Sequence, residues 1–417
     1  MQVERRSVLK GMLASGVGLT ALKSPAVQAQ GAPFKIALLT VKTGPLAQGG
    51  IQMEQGLSTF LKQRNNTLAG RKVELIVQDT AGNAALAKTK TQELAEKNRV
   101  HVIIGPLATF EALAIDDYIR QAQVPLITPT SAAQKDLAQQ KQNDYVVHAM
   151  GTAAQPMHVL GDFAAKKLGV KRLAMVADDF TYGHEGAAGF LAAFEGDGGK
   201  VVQKLWPALN VPEYGPYLGQ LKQNVDGVYA GFAGINGVRF LKAYADYGFK
   251  APVFGNPTCV DEGVLRNMGD EALGVYSASW YSAANESAAN RRFVEAVQKE
   301  YKVMPGFYTA GTYVAGMFLE AALKSIDGKF EDKAAFVKAL HNTSLADSPV
   351  GPIKIDEYGK PVLNIYVRKV ERKNGQLVNT IVATYPNVSQ FWSFDVKTFL
   401  SNPVYSRDYP PAKNLEP

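Results

Sequence analysis

A single cysteine, Cys259, stands in a chain of 417 residues. A lone cysteine excludes an intramolecular disulfide and makes a thiolate-rich metal site implausible. With no base or helix start identifiable beside it, Cys259 reads as small apolar filler rather than as a nucleophile. Histidines are also scarce, five in all, and they lack the spacing of metal ligands. His184 precedes Glu185, but no second histidine completes a zinc-binding HExxH helix. His148 and His184 fall near expected loops, where surface or hinge roles suit them. There is no phosphate-binding GxxxxGK[ST] loop and no GxSxG elbow. The spaced glycines Gly183, Gly186 and Gly189, and Gly231, Gly234 and Gly237, do not form a dinucleotide fingerprint. These absences argue against an enzyme, and neither cofactor nor metal is expected. No apolar run reaches about 18 uncharged residues, which argues against a membrane-spanning helix. Lys and Arg exceed Asp and Glu by 45 to 38, yet they are scattered beside acids. No basic stripe with interleaved aromatics marks a nucleic-acid surface.

What is present is a globular composition, 46% apolar and 20% charged, long enough for two domains. Residues 1–29 read as a cleaved export signal. Arg5, Arg6 and Lys10 precede a short apolar run, and Val27-Gln28-Ala29 gives a small-residue end. The adjacent arginines followed by Ser-Val-Leu-Lys resemble the bacterial twin-arginine motif, although Glu4 and Val8 replace its usual residues. Removing this segment takes away four basic residues and one acid, so the net charge falls from +7 to +4. The expected location is the periplasm.

The mature chain alternates strand and helix. Phe34 to Thr40 and Val73 to Gln78 read as strands, separated and followed by helices. Val102 to Ile104, a Gly-Pro turn, a helix and Val124 to Ile127 come next. These short continuous apolar runs fit parallel strands buried on both faces and joined by right-handed crossovers. Ligands in such sheets collect beyond the carboxyl ends of the strands, at the loops GPLAT and TPTSA. Thr109, Thr130 and Ser131 offer hydroxyls there, unless they serve only as caps. A second round of the rhythm begins near Ala153 and runs to about Phe254, with a helix expected near Tyr214 to Gln223. Pro349 to Val370 alternates apolar residues about a turn at Tyr358-Gly359, which predicts an antiparallel hairpin. The tail from Asn402 reads as a surface extension. The fold class is α/β with parallel sheets.

The series TGPLAQGG, IIGPLAT, LITPTSA, ADDFTYGHEG and GFAGING, in that order over about residues 34 to 385, resembles the periplasmic solute-binding proteins of ABC importers. The leucine/isoleucine/valine-binding group is the most similar. The resemblance implies two doubly wound lobes joined by a three-strand hinge that closes on the ligand. One lobe would comprise 31–148 plus 278–348, and the other 149–277 plus 349–400, with 401–417 as the C-terminal extension. It implies a monomer that receives a small molecule and presents it to an inner-membrane ABC permease, or in a variant reading to a sensory receptor. In the family, a ligand carboxylate is held by the loops that match Ala108, Thr109, Thr130 and Ser131. Tyr182 and Phe232 take the positions of aromatics from the other lobe. Leu46, Gln48, Ala233 and Thr258 complete the implied ligand set.

The departures from that pattern concern charge. An amino-acid ligand carries an ammonium that is costly to bury unpaired. The family meets it with an acid in the loop that here reads Gly255-Asn-Pro-Thr-Cys259, with no acid before Asp261. Asp178 and Asp179 are candidate substitutes, although turn capping accounts for them equally well. The residues therefore fit a carboxylate without an ammonium, such as an aromatic or short-chain acid, better than a branched-chain amino acid, with a different amino acid or an amide as the open alternative. Phe110, Tyr182 and Phe232 are candidates for an aromatic slot.

Overall fold

The computed structural model describes residues 32–130 and 143–417. The export signal at 1–29 and Ser131 lie outside the described residues. The first lobe grows from β1 (Phe34–Thr40), α1 (Ala47–Lys62), β2 (Thr67–Leu68), β3 (Arg71–Asp79), α2 (Ala84–Gln92), β4 (Val102–Ile104), α3 (Thr109–Ala122), β5 (Leu126–Thr128) and β6 (Val146–His148). Its strands lie in the order β2-β3-β1-β4-β5-β6, parallel except for the short β2 against β3. Helices cover both faces, so strands such as FKIALLT and VII are buried almost throughout.

The second lobe repeats the plan with α4 (Ala154–Asp162), β7 (Arg172–Ala177), α5 (Thr181–Gly196), β8 (Lys200–Leu205), α6 (Gly215–Leu218), β9 (Gly227–Gly231), α7 (Ile235–Asp246), β10 (Val253–Gly255), α8 (Glu262–Leu265) and β11 (Tyr276–Ser279). The helix expected over 214–223 is only the single turn α6, because Pro216, two glycines and the following polar run give it no long apolar face. The chain then returns to the first lobe with α9 (Ala288–Tyr301), α10 (Phe307–Ser325) and α11 (Lys333–His341). Helix α10 lies directly on α1, where Thr312 Oγ1 donates to the Met53 carbonyl at 2.8 Å.

A last crossing leads to β12 (Ile353–Ile355), β13 (Pro361–Lys373), β14 (Gln376–Val388) and α12 (Val396–Ser401). Strand β13 pairs antiparallel with β12 and with β11, closing the second sheet as β12-β13-β11-β10-β9-β7-β8 with β14 outside β13. The expected hairpin is the β12–β13 pair. Its turn is held by the Asp356 carboxylate, which accepts from Tyr358 N at 2.9 Å and Lys360 N at 2.8 Å. The larger β13–β14 hairpin is not apparent from the sequence. The tail is tied down along its length: Tyr405 hydroxyl meets His158 Nε2 at 3.1 Å, and Glu416 pairs with Arg172 at 2.6 Å. Among the described residues, no helix is long and apolar enough to cross a membrane.

Candidate functional site

The first lobe contributes its face of the cleft through two loops at the carboxyl ends of β4 and β5. The turn after β4 needs Gly105: its φ is +129°, and a Cβ there would collide with the Leu39 carbonyl. Helix α3 starts at Thr109 on the cavity wall, so the positive end of a 14-residue helix faces the cleft. Glu111 braces this start. Its buried carboxylate accepts from Ala108 N at 3.0 Å and from Thr80 Oγ1, and burial raises its pKa. Thr130 Oγ1 donates to the Leu107 carbonyl at 3.0 Å, joining TPTSA to GPLAT. That proton is thus directed at the loop rather than at the cavity.

From the second lobe come Phe180, Tyr182 and Ala233, and from the head of α10 comes Tyr308. With Leu46, Leu107, Ala108, Thr109 and Thr130 they enclose a nearly shut cleft with about 10 Å³ of free volume. That is far below the range for open ligand pockets, so a ligand is admitted only when the walls part. None of the nine residues is charged. Burial holds the Tyr182 and Tyr308 phenols above their ordinary pKa, so both hydroxyls remain proton donors at neutral pH. Thr258 Oγ1 donates to the Phe232 carbonyl at 2.9 Å and lies 3.3 Å from Tyr182 OH, fixing the phenol from behind. Phe110 packs against Phe180 at 6.4 Å between ring centroids, edge to face, and Phe180 lies 5.9 Å from Tyr182.

The structure brings Leu46, Ala108, Thr109, Thr130, Tyr182 and Ala233 together at the cavity. Thr258 stands one layer back. Gln48 is half-buried in the first turn of α1 and off the cavity wall. Phe232 turns the other way: it is fully buried, stacked on Phe240 at 4.4 Å and against Tyr214 at 5.4 Å in the core of the second lobe. An aromatic near a strand end serves the core as readily as the cleft, and here the core wins. Its place beside Tyr182 is filled by Phe180, which the sequence carried in the same loop. Tyr308 had no sequence signal, because nothing in the chain announces that the head of a distant helix faces this loop.

Among the described residues, the acids nearest the cleft are engaged elsewhere. Asp178 accepts from Ala233 N at 3.0 Å and Asn236 Nδ2 at 2.9 Å, with burial pushing its pKa up to about 7. Asp179 faces outward to His184 at 2.7 Å and Arg407 at 3.0 Å. Asp261 and Glu262 lie in the interior, the latter against the fully buried Arg368 at 3.3 Å. Arg368 also donates to the carbonyls of Pro257 and Tyr281 and to Ser277 Oγ, holding the loop that carries Thr258. Cys259 is buried, and burial raises its thiol pKa, so it is packing material. Among the described residues, no group of three potential ligands could hold a metal ion.

The sequence profile of the periplasmic binding protein family matches residues 33–376. "Leu/Ile/Val-binding protein homolog 6" of Brucella melitensis is 28% identical over 382 residues, which cover 88% of this chain and 96% of that one. A solute-binding protein of an ABC transporter from Rhodopseudomonas palustris BisB5, solved with 3,4-dihydroxybenzoic acid, is 35% identical with a TM-score of 0.80, covering 86% of this chain and 98% of the other. Another R. palustris solute-binding protein, solved with benzoate, is 26% identical with the same TM-score and coverage.

Proposed function

Because this chain belongs to the periplasmic binding protein family, we propose that it is the extracytoplasmic substrate-binding component of an ABC importer for a small aromatic carboxylate. The ligand enters between the open lobes, and closure shuts it into the cavity. The loaded protein then docks on an inner-membrane permease, which takes the ligand up. The observation that carries the choice of ligand is electrostatic: among the described residues no charged side chain lines the cavity, and Asp178, Asp179 and Glu262 are engaged by internal partners. A carboxylate is compatible with that lining. The start of α3 attracts it, and hydroxyl and backbone donors hold it without a buried counter-ion. An ammonium would enter the same space unpaired. Phe180, Tyr182 and Tyr308 offer flat apolar walls to a ring. The benzoate-type ligands of the R. palustris neighbours support the same class.

The roles follow from placement. The backbone N–H groups at the α3 head form the carboxylate cradle, with Ala108, Thr109 and Thr130 lining it and Leu46 beside it. Tyr182, steadied by Thr258, and Tyr308 grip the ring and donate to a ring substituent. Ala233 closes the wall. The test is mass spectrometry of the small molecule released when the purified mature protein is denatured, alongside a thermal-shift panel. Benzoate or para-hydroxybenzoate is expected to raise Tm once its concentration exceeds Kd. A larger shift from leucine, isoleucine or valine would overturn the ligand class.

A further inference from the structure

Gln52 of α1 is a buried polar side chain that touches no part of the cavity wall. Its carboxamide lies between two glycines from opposite lobes. A Cβ on Gly263, in α8 of the second lobe, would collide with Gln52 Nε2. A Cβ on Gly306, just before α10 in the first lobe, would collide with Asp261 Oδ2 and stand 2.5 Å from Gln52 Oε1. The residue reached through this gap is Asp261, fully buried. Its carboxylate accepts from Gly263 N at 3.0 Å within its own lobe and from Phe307 N at 2.7 Å across the lobe boundary. It also bonds the Gln52 side chain. Gln52 Oε1 in turn accepts from Thr309 Oγ1 at 3.5 Å. One carboxylate thus gathers donors from α8, from α1 and from the head of α10.

The position of this junction links it to the ligand. Tyr308, the residue after Phe307, lines the cavity, and Thr258, three residues before Asp261, backs Tyr182. The Asp261–Phe307 bond crosses the boundary between the lobes, so any parting of the lobes there must break it. Any interaction made only in the closed state raises that state's population.

We propose that Asp261 is the positioning residue of closure. The Gln52–Asp261–Phe307 junction forms as the lobes shut, sets Tyr308 against the ligand, and slows ligand escape without touching the ligand. The two glycines keep its path open. This deepens the capture reading given above, and its ligand-free arm does not depend on the identity of the ligand.

Gly306→Ala is the sharpest variant. The residue has φ −106° and ψ −170°, extended backbone that alanine adopts without strain; the tightest obstruction, Asp261 Oδ2, comes from the other lobe, while Gln52 Oε1 is the end of a flexible side chain. Gln52→Ala removes one donor and adds no bulk. Stopped-flow binding of para-hydroxybenzoate should show dissociation about tenfold faster or more in both variants, with association changed by less than about threefold. Circular dichroism should show an unaltered fold. In the ligand-free wild type, amide exchange at Phe307 should be far faster than at interior α10 residues such as Ala315. Unchanged dissociation in both variants would overturn the proposal. So would a Phe307 amide as protected without ligand as the rest of α10, since the junction would then be permanent. If para-hydroxybenzoate fails to bind the wild type, the ligand class falls, while the exchange result still decides the junction.

Discussion

On the first-lobe side of the cleft, the wall is the start of α3 with Thr109 and Thr130, together with the Tyr308 ring at the head of α10. Its nearest acid, Glu111, serves only to brace that helix. On the second-lobe side, ionisable groups are numerous and buried: Asp178, Asp261, Glu262, Arg368, and deeper in the lobe His158 and Lys360. None of them lines the cavity. The first lobe makes a positive site without a formal charge, because a helix start attracts anions at no cost of burying a side-chain ion. The second lobe spends its charges on holding loops in place, and it lines the cavity with the rings of Phe180 and Tyr182. A ligand that is anionic at one end and flat and apolar at the other matches the two faces.

Substitutions can break this contrast, beginning with the largest effect. Arg368→Met leaves Glu262 buried without its partner, and truncating one member of a buried pair costs about 3–5 kcal/mol. Urea denaturation should show that loss, and a change below about 1 kcal/mol would mean the pair is structurally idle. The next effect is a pH dependence. Burial lowers the Lys360 pKa from 10.5 to about 7, so the folded state holds this amine neutral while the unfolded chain keeps it protonated. The unfolded state therefore binds more protons between about pH 7 and 10.5, and stability rises with pH across that window. Lys360→Met should flatten the rise, by an amount of a few kcal/mol. Urea midpoints at a series of pH values read it, and an unchanged slope would contradict the assignment.

Smaller effects sharpen the contrast at the cavity itself. Tyr182→Phe and Tyr308→Phe each delete one hydroxyl and keep the ring, so calorimetry with para-hydroxybenzoate should show affinity falling by roughly tenfold. An unaltered affinity in both would remove the phenols from the site. Asp179→Asn touches only an outward, partly exposed cluster, and stability should change by less than about 1 kcal/mol with binding intact. Loss of binding in that variant would return Asp179 to the ligand site.

Much of the architecture was legible because its signals are local. FKIALLT and VII are apolar without interruption, and such runs read as strands covered on both faces. The carboxyl ends of those strands then located GPLAT and TPTSA. The long β13–β14 hairpin escaped, since burial along β14 is irregular and leaves no clean alternation. Tyr182 was found through its loop, whereas Phe232 was misplaced because a phenylalanine after a strand does not declare which side of the sheet it packs on. Tyr308 reaches its place, and Gln52 meets Thr309, only through the return of the chain to the first lobe. No local pattern carries that information. The saturation of the acids was anticipated only in part: the GNPTC loop signalled a missing acid, but the bonds of Asp178 and Asp261 became visible only in three dimensions.

The central claim is that the cavity accepts a carboxylate and rejects an ammonium. Calorimetry with phenylacetate and phenylglycine, which differ only by the α-amino group, tests it most directly. Phenylacetate is expected to bind more tightly by at least about tenfold, because the added ammonium would be buried with no partner. Tighter binding of phenylglycine would contradict the account and require an acid that turns into the cavity when the lobes close on an amino acid.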